Sequence, residues 1–187
     1  SDDDWSGKVQ LNFRPQDEWL LYAGASRGIK AGGFNLPLFP IAPSDFPFSG
    51  EVLTAYEVGF KASLTDRVRL NASAYYYDYK DAQAFLFVGV GGVVINADSR
   101  IYGAELELQT SPIDGLDISL SGSLIDAKVK DVPLRAGSPV PPRDVRPTYA
   151  PEFQMSAMVR YGWPMFGGEM SVRADASHSS DFYYNLR

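Results

Sequence analysis

The chain has 187 residues, a net charge of -6, no cysteine and a single histidine, His178. Missing cysteine excludes disulfides and thiolate metal centres, one histidine excludes a multi-histidine site, and the acidic balance argues against nucleic acid, which calls for basic patches. No stretch of about eighteen apolar residues occurs, so no membrane-spanning helix is encoded, although strands that are apolar at every second position escape that test.

Strand side chains alternate faces, so parity identifies both the strands and their facing. The pattern predicts an all-β fold, an antiparallel meander of about eight strands. The first, Ser6–Arg14, sets Val9, Leu11 and Phe13 against Lys8, Gln10 and Asn12. After the turn Pro15–Glu18 comes Trp19–Arg27, whose Leu20, Leu21, Tyr22 and Ala23 are apolar on both faces and leave its facing open. Val52–Leu64 aligns Tyr56, Val58, Phe60 and Ala62 on one face. Past Thr65–Arg67, Val68–Phe87 carries Val68, Leu70, Ala72, Ala74 and Tyr76 opposite Arg69, Asn71, Ser73, Tyr75 and Tyr77. Ala97–Ser111 sets Tyr102, Ala104, Leu106 and Leu108 against Glu105, Glu107 and Gln109. Beyond Ile113–Gly115, Leu116–Lys130 alternates Leu116, Ile118 and Leu120 with Asp117, Ser119 and Ser121. The last two, Glu152–Trp163 and Glu169–Tyr184, flank the turn Phe166–Gly168.

The short turns all fall at one end of this meander. Gly/Pro-rich loops near 28–50, 87–98 and 131–151 fall at the other. Short turns on one side and long loops on the other are the layout of a transmembrane β-barrel. The same alternation also suits a soluble ligand-binding β-barrel or a sandwich with its apolar face on a core. Three details favour lipid. The apolar faces are long and hold many alanines (Ala72, Ala74, Ala104, Ala157, Ala174), where a core would pack larger groups. Aromatics such as Trp5, Trp19, Tyr102, Tyr161, Trp163, Tyr183 and Tyr184 gather at strand ends, as in interfacial girdles. The opposite face carries charges that a wet lumen accepts and a dry core does not.

Gly28–Gly33 is glycine-rich but opens no helix, which a phosphate cradle requires. Glu105 and Glu107 share a strand face and read as wall residues, not an acid/base pair. Asp78, Asp81 and Asp98 could ligate a cation at a loop base, without EF-hand spacing. His178 beside Asp175, Ser177 and Ser179 would have to orient a nucleophile if the chain were an outer-membrane enzyme such as a lipase. No catalytic, cofactor-binding or metal-binding set is expected. The candidate ligand-contacting residues are the loop aromatics and arginines Phe34, Phe39, Phe46, Arg143, Arg146 and Tyr149, suited to an aromatic or anionic ligand.

Particular runs are familiar. Trp19-Leu20-Leu21-Tyr22-Ala23 leading to Ser26-Arg27-Gly28-Ile29-Lys30-Ala31-Gly32-Gly33-Phe34-Asn35 resembles a strand and loop of TonB-dependent outer-membrane receptors, of pattern S-x-G-F-K-x-G-G-F-N. Glu51 with Tyr56-Glu57-Val58-Gly59-Phe60-Lys61 is similar to the strand that follows it, although Ser49-Gly50 stands where that family usually has proline before the glutamate. Asn71 through Gln83 resembles the family's N-x-A-x-F-Y-x-D-Y-x-D-x-Q strand, and Asn96-Ala97 with Gly103-Ala104-Glu105-Leu106-Glu107 its N-A and G-x-E-x-E motifs. The resemblance covers nearly the whole chain. It implies the C-terminal half of a barrel of about 22 strands, present as a fragment without the plug domain. It further implies residence in the bacterial outer membrane and active uptake of a scarce nutrient such as a ferric siderophore. The implied partners are outer-membrane lipid, the TonB complex through the missing N-terminal segment, and a small-molecule or metal-chelate substrate, with no cofactor. The first and last strands are expected to pair with strands outside this chain.

Overall fold

The computed structural model describes residues 5–36, 43, 46–88, 91–132, 141–184 and 186. Eight long strands form one antiparallel sheet: β1 (Gly7–Phe13), β2 (Trp19–Lys30), β5 (Glu51–Thr65), β6 (Val68–Val88), β7 (Gly91–Thr110), β8 (Leu116–Val132), β10 (Phe153–Met165) and β11 (Gly168–Ser179). They pair in that order, each with its neighbour in sequence, so the meander stands as predicted. Three short pieces are added at the long-loop end. β3 (Gly33–Phe34) and β4 (Pro47–Phe48) form a small ribbon, and β9 (Arg143–Val145) extends the sheet beside β8.

The sheet stays open, with β1 and β11 at its two edges. Its accessible surface is 12819 Å², whereas a compact monomer of this mass exposes about 8,900 Å². Leu11, Val58, Leu106, Val159 and Val172 are all exposed on one face. A self-contained soluble barrel or sandwich would cover such residues; a wall meeting lipid leaves them outward. Among the described residues, the buried apolar cluster is confined to the long-loop end, where Ala97, Val129, Val132 and Val145 pack with Ile95 and Leu186.

Register fixes the facing of β2, which its own residues left open. Leu21 pairs with Phe60 and Ala23 with Val58, on the apolar face; Tyr22 pairs with Gly59, on the polar one. The turn between β7 and β8 has the glycine it requires. Gly115 sits at φ +82, and a Cβ there would run into the carbonyl oxygen of Gly162, whose N–H donates to the Gly115 carbonyl at 2.7 Å.

Two expectations are corrected. The segment near 87–98 is not an open loop, since β6 and β7 stay paired up to Val88 and Gly91. The pattern faded there because the β6 register shifts between Tyr79 and Ala82. Above that bulge the even-numbered residues of β6 change face. Asp81 takes a left-handed backbone (φ 53), which aspartate tolerates better than most residues, and its amide donates to Asp98 Oδ1 at 3.2 Å. β8 repeats the device: Asp131 has φ 51 and its amide donates to Asp144 Oδ1 at 3.3 Å. Secondly, the last strand ends at Ser179, so Tyr183 and Tyr184 lie past it instead of belonging to a strand-end girdle.

Candidate ligand-facing wall and loops

The polar face of the sheet curves around a hollow of about 690 Å³ whose lining includes Tyr22, Glu57, Asn71, Glu105, Glu107 and Ser121. Its groups are joined across and along strands. Tyr22 Oη donates to Glu57 Oε1 at 2.7 Å, Asn71 Nδ2 to Glu107 Oε2 at 3.0 Å, and Gln109 Nε2 to Glu107 Oε1 at 2.8 Å. Ser121 and Ser156 hydroxyls meet at 2.8 Å. Nearer the short turns, Arg160 lies between Asp117 (3.4 Å) and Glu169 (3.6 Å). Two glycines let aromatic rings lie flat on this wall. A Cβ on Gly59 would come within 2.6 Å of the Tyr22 ring, and one on Gly103 within 2.6 Å of Tyr75 Oη. Tyr75 in turn stacks on Tyr77 at 4.8 Å. Parity alone sets Asn71, Tyr75, Glu105, Glu107, Gln109 and Ser121 on this face, and leaves Tyr22 open.

His178 pairs with Met155 and lies 6.0 Å from the Phe153 ring, on the apolar face. Asp175 and Ser177 have the opposite parity, and Asp175 is gripped by Arg173 at 2.7 Å. The strand therefore sets His178 on the opposite face from Asp175, Ser177 and Ser179, so it is not placed to orient either serine as a nucleophile.

The first long loop carries Phe34 and Phe46, both exposed. Phe34 pairs with Pro47 in the β3–β4 ribbon, and the Phe46 carbonyl accepts from Asn35 N at 2.6 Å. Phe39 lies outside the described residues. The loop is pinned to the β6–β7 hairpin by polar side chains that the candidate set omitted. Asn35 behaves as a substitute strand: its Nδ2 donates to Val94 O at 2.9 Å and its Oδ1 accepts from Val94 N at 2.8 Å. Asn96 accepts from Ser49 N (2.7 Å) and donates to Asp81 O (2.7 Å), while Gln83 Nε2 donates to Ala31 O (2.8 Å). Asn35 and Gln83 close the runs G-G-F-N and D-x-Q, and Asn96 opens the N-A run, so the motifs themselves were the signal. Asp98, beyond the row of tyrosines on the apolar face, accepts from Lys80 Nζ at 2.8 Å. That hydrogen bond, reinforced by the Asp81 amide, holds the Asp98 carboxyl below its ordinary 3.8 and raises the Lys80 ammonium above its ordinary 10.5. The carboxylate considered as a cation ligand is therefore committed to the hairpin.

In the third loop Arg143 lies in β9 opposite Val132, and Arg146 pairs with Glu152. Tyr149, at φ 55, meets the Tyr184 ring edge-on at 5.4 Å and the Phe182 ring at 5.9 Å. Its amide donates to Tyr183 O at 2.9 Å, so this aromatic group ties the loop to the chain's last described residues. The structure thus joins Phe34 with Phe46, and places Arg143, Arg146 and Tyr149 along one short stretch.

Comparison with known proteins agrees with this geometry. The family described as "TonB dependent receptor-like, beta-barrel" matches residues 1–187. The ferric yersiniabactin uptake receptor FyuA of Yersinia pestis superposes with a TM-score of 0.74 at 22% identity, over 96% of this chain and 26% of that one. BauA, the ferric preacinetobactin receptor of Acinetobacter baumannii, gives 0.71 at 16% identity, over 96% of this chain and 26% of its own. The copper transporter OprC gives 0.62 at 20% identity, over 83% of this chain and 23% of its own. At these identities the likeness carries the fold, and the chain spans about a quarter of the receptors it matches. An open antiparallel wall, apolar outside and polar inside, with a family match along its whole length, establishes that this chain belongs to the TonB-dependent receptors, as a segment of their outer-membrane β-barrel.

Proposed function

We propose that this chain is the wall and outer loops of a receptor that actively imports a scarce nutrient, a metal chelate of the ferric-siderophore class, across the outer membrane. The observation that carries the reading is the division of one sheet into an exposed apolar face and a hydrogen-bonded polar face. Lipid takes the first and a water-filled lumen the second. No bond of the cargo is made or broken: energy enters through the TonB complex, which engages a segment outside this chain. The long loops face outward, where Phe34, Phe46 and Tyr149 offer apolar contact to the chelator and Arg143 and Arg146 offer charge to an anionic complex. The ferric yersiniabactin and preacinetobactin receptors among the structural neighbours support this substrate class.

The test is uptake by the intact receptor. A Gram-negative host lacking its own siderophore receptors should take up at least one radiolabelled ferric siderophore from a chemically diverse panel when it expresses the full gene, and should lose uptake when TonB is deleted. Uptake that persists without TonB would overturn the energised mechanism. Failure across ferric chelates, with TonB-dependent uptake of another nutrient, would overturn the substrate class.

A further inference from the structure

The first long loop inverts the usual choice of what to bury. Phe34, Asn35 and Leu36 are 75%, 7% and 90% exposed. A polar side chain is covered, and the two large apolar ones beside it are left in solvent. Single exposed leucines are ordinary, but a buried carboxamide between two exposed apolar groups is an informative arrangement.

The carboxamide is buried because it is used. Asn35 Nδ2 and Oδ1 make the two bonds, to Val94 O and from Val94 N, that a residue of a neighbouring strand would make. In an antiparallel ladder a residue's N–H and C=O leave the strand on one side, and the sides alternate along it. Val94 gives both groups to Asn35, so they point away from Phe85, its partner on β6. On that side β8 first joins β7 at Ser99, five residues further on. Asn35 thus caps a stretch of β7 edge to which no described strand is paired.

The backbone of Asn35 continues the β3–β4 ribbon, since its amide donates to Phe46 O at 2.6 Å beside the Gly33–Phe48 and Phe34–Pro47 pairs. A ribbon this short has no stability of its own and takes its position from what holds it. Its base is fixed by Gln83, whose Nε2 donates to Ala31 O at 2.8 Å and to Ser49 O at 3.2 Å and so joins the two legs of the loop. The legs pass closely: a Cβ on Gly32 would run into Phe48 O, and one on Gly33 would come within 2.7 Å of the Phe48 ring. Beyond this base, Asn35 is the tether that lies next to both Phe34 and Leu36.

We propose that Asn35 is a positioning residue for the cargo: seated on Val94, it holds Phe34 and Leu36 out as a preformed apolar contact for the organic shell of the imported complex. Little ordering of the loop then remains when the cargo binds. The inference rests on the uptake reading above and adds Leu36 to the contacts named there. Asn35 acts through its two neighbours, its own polar atoms being committed to the hairpin.

The experiment uses the full-length receptor in the receptor-deficient host, with whichever radiolabelled nutrient the wild type imports, ferric or not. Initial uptake rate is measured against concentration, and surface receptor is quantified on the same cells. Asn35→Ala should raise the half-saturating concentration about tenfold, the usual effect of having to order two side chains on binding. The maximal rate per surface receptor should stay unchanged. Leu36→Ala should raise the half-saturating concentration as well, and the double variant should fall short of the product of the two effects, because one residue acts through the other. Asn35→Asp keeps an oxygen to accept from Val94 N and should lie between wild type and Asn35→Ala; it carries the test if the alanine variant does not reach the surface. A half-saturating concentration unchanged by loss of Asn35 overturns the proposal. So does a loss confined to surface level or maximal rate, which would show a purely structural role, and so do effects that multiply in full. Import of a nutrient other than a ferric chelate would refute the substrate class and leave this test intact.

Discussion

Leu106→Arg tests the assignment of faces most directly. Leu106 lies on β7 between Ala72 on β6 and Gly122 on β8, and is 53% exposed on the apolar face. It stands four positions from Tyr102 in the girdle and four from Thr110 at the strand's other end. At about 3.4 Å per residue and a strand tilt near 40°, that is roughly 10 Å of depth on either side. The residue therefore sits near the bilayer midplane, where an outward arginine costs about 2–4 kcal/mol. That range corresponds to about a 30- to 900-fold loss in the folding equilibrium. The neighbouring change Glu107→Gln keeps one carbonyl oxygen to accept from Asn71 or Gln109 and leaves the other donor to the water of the lumen, so its cost should stay below about 1 kcal/mol. Refolding of the intact receptor into lipid vesicles across a urea series, read by heat-modifiable gel mobility, measures both. Equal midpoints for the two variants would refute the facing of β7, and with it the lipid-facing reading of the sheet.

Gly103→Val should destabilise the barrel by about 1–3 kcal/mol in the same assay, because the new side chain would meet Tyr75 Oη and the Leu124 carbonyl; an unchanged midpoint would show that Tyr75 does not lie over Gly103. Asp81→Val should open the β6–β7 hairpin to protease at about 1–3 kcal/mol of strain, since a β-branched residue does not fit φ 53, whereas Asp81→Gly should remain resistant. The Lys80–Asp98 contact should be pH-dependent in a defined window. Asp98 is held below 3.8, so its contribution is present above that value and is lost as pH falls through the lowered value; Lys80 is raised above 10.5, so its contribution is present below 10.5 and is lost as pH rises through the raised value. Amide exchange across 80–98 should therefore show no loss of protection from this contact between about pH 5 and 9, and Asp98→Asn should remove the acid-side change.

Strand existence and facing were legible wherever one face was apolar and the other polar, as in Val68–Tyr77 or Leu116–Ser123. They were illegible where both faces were apolar: β2 needed its partner, because only the Tyr22–Glu57 contact and the opposing Gly59 show which side is wet. The upper β6–β7 hairpin was missed for a different reason. The bulge at Lys80–Asp81 inverts the parity of β6, and the residues beyond it on both strands are too uniformly apolar or glycine-rich to reveal the new phase. The loop-pinning role of Asn35 could not be read from alternation at all. It depends on a backbone 59 positions away, and only the motif signalled it. The aromatic pair Tyr183–Tyr184 looked like a strand end because aromatics gather at interfaces, whereas here the Tyr184 ring packs with Tyr149 and the Tyr183 carbonyl accepts from the Tyr149 amide.

The bulge at Asp81 also has an engineering meaning. Below it, β6 and β7 count inward and outward together; above it, β6 counts from a new origin. The two storeys of the hairpin therefore follow separate reading frames, joined at a single left-handed residue. A tip transplanted from a relative should be spliced at Asp81 and Asp98, with the bulge kept intact, so that its own alternation need not agree with the wall beneath. A graft spliced one residue lower, without the bulge, would turn every donor side chain on β6 to the wrong side, however well the sequences aligned. Receptors of this kind can in this way exchange their outermost surface while the membrane-embedded storey remains unchanged.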